Sequence, residues 1–346
     1  MNKVIIIICS SVVICSIPLK NRYLVPVYLR IGLSTGYHDN VFQFSSREKN
    51  DIDSYNYMGD ASNYDSFYLK PDFRILYSPK IFNQKITNFI FNASFSNFLN
   101  VEDKNSFDYS VRFEYKIKSF NWIKISYRNS PNNFLRYYND NDLPEQKYFL
   151  CDYNSDSFYV SYSAAFGKYG WSRFKLYVAN QFYNPNFTEF DTRHSKISFK
   201  HYFKFRGYKL NASFSYLLAD NVSYDSGQLS SEFDRSYTGN IISFEIKDDL
   251  KNKFLDKILL GYTYSERFYK SESSFDPLHS GRSHSEHVVS LEIRKKIRED
   301  VQLGLKYQAR NRNTISDFEW VESLKSFNGN QILFKIIYDM DIDTFY

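Results

Sequence analysis

The sequence predicts an all-β protein, a transmembrane antiparallel up-and-down β-barrel of about fourteen strands, within a range of about twelve to sixteen. Three observations predict it. From Phe107 to Lys118 the residues alternate without a fault: Phe107, Tyr109, Val111, Phe113, Tyr115 and Ile117 take one face of an extended strand, while Asp108, Ser110, Arg112, Glu114, Lys116 and Lys118 take the other. Many further segments repeat the pattern less strictly. The connections between them alternate between short and long. Mean hydropathy is −0.50 over 346 residues, which excludes a bundle of membrane helices. A barrel tolerates that value because only every second strand residue faces lipid.

In chain order, residues 1–20 read as an export signal. Lys3 supplies a positive start and Val4–Ile17 an apolar stretch too short to span a bilayer. Cys9 and Cys15 fall inside it, so the mature chain keeps Cys151 alone, an expected loop thiol, and relies on no disulfide. Residues 21–346 form one barrel domain. Period-two alternation places strands at Pro26–Tyr37, Ser66–Tyr77, Asn88–Phe98, Phe107–Lys118, Trp122–Arg128, Ser157–Phe166 and Ser172–Phe182. It continues at Lys196–Lys204, Tyr208–Ala219, Asn240–Lys247, Lys257–Phe268, His287–Lys295, Val301–Arg310 and Gln331–Met340. Pro71 costs the second strand a ladder hydrogen bond and predicts weak pairing there.

Short connections fall at Ser119–Asn121, Gly167–Gly170, Phe205–Gly207 and Arg298–Asp300. Long ones fall at His38–Asp65, Asn129–Asp156, Asp220–Thr238, Tyr269–Glu286 and Asn311–Gly329. A secreted soluble sandwich, the alternative, has no reason to gather its long loops at one end. An even strand count puts both termini on one side.

Together the leading signal, the strand pattern and the chain end resemble a Gram-negative outer-membrane β-barrel of the porin-like kind. The end is Tyr338-Asp339-Met340-Asp341-Ile342-Asp343-Thr344-Phe345-Tyr346, and its terminal aromatic fits that class. Asp341 and Asp343 leave open whether the strand stops near Met340. Gly36-Tyr37-His38-Asp39-Asn40-Val41-Phe42 is similar to the end of the first strand in some bacterial barrels. The resemblance implies an outer-membrane location, contact with outer-membrane lipids and lipopolysaccharide, and recognition of the last strand by the barrel-assembly machinery.

Functional content is expected on the inward face. The candidate lumen-lining residues are Arg30, Lys70, Arg74, Arg112, Glu114, Lys116, Lys124, Arg128, Arg173, Lys175, Lys209, Arg294, Lys306, Arg310 and Lys335, with Lys118, Lys200 and Lys247 on the same face. Inward carboxylates are fewer: Asp72, Asp108, Glu114, Glu245, Glu292 and Asp339. A low-dielectric cylinder lined by one sign of charge concentrates the opposite ion. The expectation is a passive pore for small, preferentially anionic solutes or oligosaccharides. The alternative is a non-conducting scaffold, adhesin or assembly partner acting through its long acidic loops, whose rim (Asp51, Asp60, Asp142, Asp225, Glu319) would hold divalent cations.

Asn129–Asp156 is the expected constriction, with Arg136, Tyr137 and Tyr138 reaching the lumen. With 31 Tyr and 33 Phe the aromatic fraction reaches 19%, and most of it is expected in girdles at the two membrane interfaces. Tyr28, Tyr68, Tyr159, Tyr177 and Tyr202 are predicted inward instead. No catalytic, cofactor or metal site is expected. His194 and Ser195 are neighbours on a strand and so face opposite sides. His279, His284 and His287, with Glu286, read as a surface loop with scattered histidines. A net charge of +5 is mild, and no compact basic patch or motif points to nucleic acid.

Overall fold

A computed structural model describes residues 24–52, 56–81, 85–140, 142–227, 229–250 and 254–345. The expected signal at residues 1–20 and the terminal Tyr346 lie outside the described residues. Fourteen strands hydrogen-bond to their sequence neighbours. They are β1 (Leu24–His38), β2 (Ser66–Tyr77), β3 (Lys85–Phe98), β4 (Ser106–Lys118), β5 (Asn121–Asn139), β6 (Tyr148–Ala165) and β7 (Trp171–Tyr183). They continue as β8 (Thr192–Phe205), β9 (Tyr208–Asn221), β10 (Tyr237–Asp249), β11 (Lys257–Tyr269), β12 (Ser283–Lys296), β13 (Val301–Ile315) and β14 (Phe327–Phe345). A two-residue segment, Lys80–Ile81, pairs antiparallel with Lys85 and Ile86 at the start of β3. Every pairing is antiparallel, and β1 against β14 closes the ring. Closure leaves no sheet edge, the condition for strands to cross a bilayer.

The alternation read from the sequence is what shapes the wall. Ile31, Leu33, Phe107, Val111, Phe174, Leu176, Phe199, Phe244, Leu291 and Phe334 stand exposed on the outside. Strands of 12 to 19 residues exceed the roughly 9–11 that cross a tilted bilayer. Aromatic pairs gather towards both rims, Tyr37 with Phe67 and Tyr109 with Tyr127 at the loop end, Tyr77 with Phe89 at the turn end.

Connections 78–84, 119–120, 166–170, 206–207, 250–256 and 297–300 lie at the end that holds both strand termini. Connections 39–65, 222–236, 270–282 and 316–326 lie at the other, with the shorter 99–105, 140–147 and 184–191.

Four expectations need correction. Asn129–Asp156 is no long loop. β5 and β6 pair on to Asn139↔Tyr148, and irregularities between Ser130 and Asn133 and between Phe134 and Arg136 absorb Pro131 and the positive φ of Asn132. Cys151, Asp152 and Asp156 therefore belong to β6, where Cys151 is fully buried. His284, Glu286 and His287 belong to β12. The last strand does not stop at Met340 but pairs with β1 through Leu24↔Phe345. Pro71 behaves as read: the β2–β3 ladder skips from Leu69↔Asn97 to Asp72↔Ser94.

Inside the ring, β1 presents Gly32, Ser34 and Gly36 in succession, and this lets its neighbours meet across it. A Cβ on Gly32 would lie 2.1 Å from the Asp72 carboxylate, which reaches over β1 to Lys335 of β14 at 2.9 Å. One turn of the pleat higher, Tyr68 of β2 receives a hydrogen bond from Gln331 of β14 across Gly36 at 2.6 Å.

Candidate functional site

The lumen is polar because every second residue of every strand faces it. Two cavities occupy its middle. The larger, about 580 Å³, is lined by Arg30, Lys70, Arg74, Arg128, Arg294, Lys306 and Lys335, with Asp72, Asp108 and Glu292. The smaller, about 370 Å³, is lined by Arg112, Arg128 and Lys175 among serines and tyrosines. They share Ser110 and Arg128. Nine of the candidate residues thus line two adjoining cavities. Lys124, Glu114 and Arg173 sit beside it in the wall. Lys116 lies against Trp122, and Lys209 pairs with Asp249, both near the turn end. Arg310 sits at the loop end with Glu286.

The cations of this wall are held in two ways. Around β12–β14, β1 and β2 five of them meet carboxylates, while Lys70, Arg74 and Lys306 have no ion pair among the described residues. Arg30 lies 2.6 Å from Asp339, Lys335 2.9 Å from Asp72, and Arg294 2.5 Å from Glu292. Arg310 and Arg312 share Glu286 at 2.9 and 2.7 Å. On β4 and β5, Lys124 lies 2.7 Å from Glu114 and Arg128 2.6 Å from Asp108.

On β6–β8 the pattern changes. Among the described residues, no carboxylate comes within ion-pair distance of Arg173, Lys175, Lys196 or Lys200. Each lies over aromatic faces instead. Lys175 is 4.3 Å from the Tyr159 ring and 5.3 Å from Tyr177, and Lys196 is 4.8 Å from Tyr177. Arg173 is 5.2 Å from Trp171, and Lys200 is 5.1 Å from Tyr202. Tyr202 and Trp171 stack on each other at 3.7 Å. Of the five tyrosines expected inward, Tyr159, Tyr177 and Tyr202 are thus platforms for cations, while Tyr68 stacks on Phe98 and accepts from Gln331. Lys196 and Trp171 were not among the candidates, although the same parity run along β7 and β8 reaches both.

At the loop end, the segment after β1 folds across the mouth. Asn40 donates to the carbonyl oxygens of Phe44 and of Asn328, each at 2.8 Å, and accepts from the Phe44 amide. Phe42 and Phe44 stack at 5.0 Å and pack with Val41, Val101 and Phe134 into the apolar cluster of the mouth. Ser45 caps the short helix α1 (Ser46–Asn50) in a reciprocal box with Glu48. Arg136 of β5 ties it down. It pairs with the buried Glu48, donates to the Phe42 and Gln43 carbonyls at 3.0 Å, and lies over Phe44 at 5.0 Å. The helix α2 (Glu319–Lys325) approaches α1 from the β13–β14 loop. Arg136 does reach the interior, but the inserted element is the segment 39–52 after β1, not Asn129–Asp156. Asn40-Val41-Phe42, noted in the sequence only as a likeness, is the part that holds it.

Three loop groups, the half-buried Lys104 and the buried Glu189 and His279, have shifted pKa values. Burial, with repulsion from Arg136 and Arg310, pushes the Lys104 ammonium down to about 8. Burial raises the Glu189 carboxyl to about 7 against the pull of Arg235, and lowers His279 to about 4 against its bond to Asp276. The histidines do not converge. His279 bonds Asp276, His284 bonds Thr314, and His287 bonds Tyr262. His194 contacts Tyr237, while Ser195 takes the other face of β8. No cluster of three or more metal-ligating side chains occurs among the described residues.

No family model matches the sequence, and no curated protein matches it. Among solved structures, the chain is similar to OmpT, an outer membrane protein of Vibrio cholerae in its trimer form, at 10% identity and a TM-score of 0.47, covering 92% of this chain and 100% of that one. It is similar to OpdK of Pseudomonas aeruginosa with vanillate at 9% identity and a TM-score of 0.42, covering 91% and 99%. A bacterial polysaccharide outer membrane secretin aligns at 9% identity and a TM-score of 0.43, covering 91% and 98%. Likenesses this distant say nothing of a solute. The closed ring of fourteen strands, apolar outside and polar within, is by itself the architecture of a porin-like outer-membrane β-barrel.

Proposed function

We propose that this barrel sits in the outer membrane of a Gram-negative bacterium and acts there as a passive pore for small solutes, with a preference for anions. One observation carries the reading: two adjoining cavities in the lumen are lined by cations that outnumber the carboxylates beside them. In a low-dielectric wall such an excess concentrates anions. The apolar belt supports the location, since exposed apolar area on this scale has no place in water. At the loop end, acidic rim residues such as Asp51, Asp60 and Glu319 would bind divalent cations shared with lipopolysaccharide phosphates. The uninterrupted β14 is the strand the assembly machinery would read.

Planar bilayers under a salt gradient test the pore. Channels with an anion-selective reversal potential are expected. Cation selectivity overturns the preference, and absence of conductance overturns the pore.

The pinned mouth favours a second reading, a closed surface scaffold. Arg136→Ala separates the two. It leaves Glu48 buried without its partner, a loss of about 3–5 kcal/mol, and should release the loop and raise conductance. Unchanged conductance places that loop outside the path.

A further inference from the structure

We propose that the smaller cavity is a binding site for a carboxylated sugar, a uronic acid. The inference rests on the pore reading only in that solute reaches the site through the lumen.

Its volume of about 370 Å³ falls in the range of roughly 300–1,000 Å³ found for ligand sites. Its lining divides into three chemistries. Arg112 and Arg128 already hold carboxylates, at 3.5 Å from Glu114 and 2.6 Å from Asp108. Lys175 holds none, and its ammonium lies over Tyr159 on the cavity wall. It is the cation left for a carboxylate brought from outside.

Next to it, Tyr159 and Tyr177 stand directly opposite each other in the β6–β7 register and give apolar platforms for the C–H face of a sugar ring. Around them, serines and an asparagine replace the apolar lining usual in ligand pockets, so hydroxyl groups find partners on several sides. A simple inorganic anion uses only the lysine. A neutral sugar uses only the serines and rings. A uronic acid uses all three.

Calorimetry on the folded barrel in detergent, with glucuronate, glucose and benzoate as probes, tests this without requiring conductance. Glucuronate should bind tightest. Lys175→Gln should weaken it about tenfold, the scale of one hydrogen bond to a charged group, and Lys175→Arg should restore it. Benzoate or glucose binding as tightly as glucuronate, or no loss in Lys175→Gln, overturns the proposal, as does no glucuronate binding. Glucuronate binding in a barrel that does not conduct leaves this site standing and removes the pore. Conductance without glucuronate binding does the reverse.

Discussion

Two walls of the same lumen hold their positive charge differently. Around β12–β14, β1 and β2 Arg30, Arg294, Arg310, Arg312 and Lys335 lie against carboxylates within 3 Å, and Lys70, Arg74 and Lys306 stand without an ion pair among the described residues. On β6–β8 no inward position carries a carboxylate, and Arg173, Lys175, Lys196 and Lys200 rest on Trp171, Tyr159, Tyr177 and Tyr202. An ion pair cancels a charge as seen from the lumen. An aromatic ring steadies a cation, at about 0.5–2 kcal/mol, and leaves its full charge in place. The first wall therefore cancels much of its charge for stability, whereas the second keeps all of it for the field. A count of inward cations, which treats the two alike, misses this.

The largest effect is expected where the paired wall is opened. Glu286 is buried and serves both Arg310 and Arg312. Glu286→Gln strands two cations and should cost about 3–5 kcal/mol, read as a lower urea midpoint for loss of the compact band on cold electrophoresis. The matching change on the other wall should be milder. Tyr177→Leu removes the platform under Lys175 and Lys196 and should cost about 1 kcal/mol. A drop as large as that of Glu286→Gln would erase the distinction between the walls.

The paired wall was only half legible in the sequence. Parity along Pro26–Tyr37 puts Gly32 and Gly36 on the same face as Arg30, but alternation cannot say that Asp72 and Lys335 meet across one of them. Glu286 was assigned to a loop because His279-to-His287 carries no two-residue period, yet the ladder against β13 runs through it. The aromatic wall was more legible. Arg173, Lys175, Tyr159, Tyr177 and Tyr202 all follow from parity, and so does the lack of acids among them. What parity hides is height along the strand, hence which ring lies under which cation.

The loop end was least legible. Asn129-Ser130-Pro131-Asn132-Asn133 has the composition of a turn, and only the two irregularities in the β5–β6 ladder show how the strand passes through it. The inserted loop is held by single contacts far apart in sequence, such as Arg136 with Glu48, which no periodicity records.

The smallest effect concerns this end, which belongs to neither wall. Glu189, in the loop between β7 and β8, is buried and its carboxyl is raised to about 7. Between its unfolded value and about 7 the docked loop holds a proton that the undocked loop releases. Docking is therefore strongest below about pH 4.5 and weakens as pH rises through 7. Limited proteolysis in this loop should quicken across that window, and Glu189→Gln should flatten the dependence. A loop that loosens on acidification would reverse the sign.

The most direct test of the unequal walls is the reversal potential of single channels under a salt gradient, compared between the parent barrel and Lys175→Gln/Lys196→Gln/Lys200→Gln. The parent should prefer anions. The triple variant should lose most of that preference while Arg30, Arg294, Arg310 and Lys335 remain. An undiminished preference in the triple variant would mean that the paired wall sets the field, and would contradict the account.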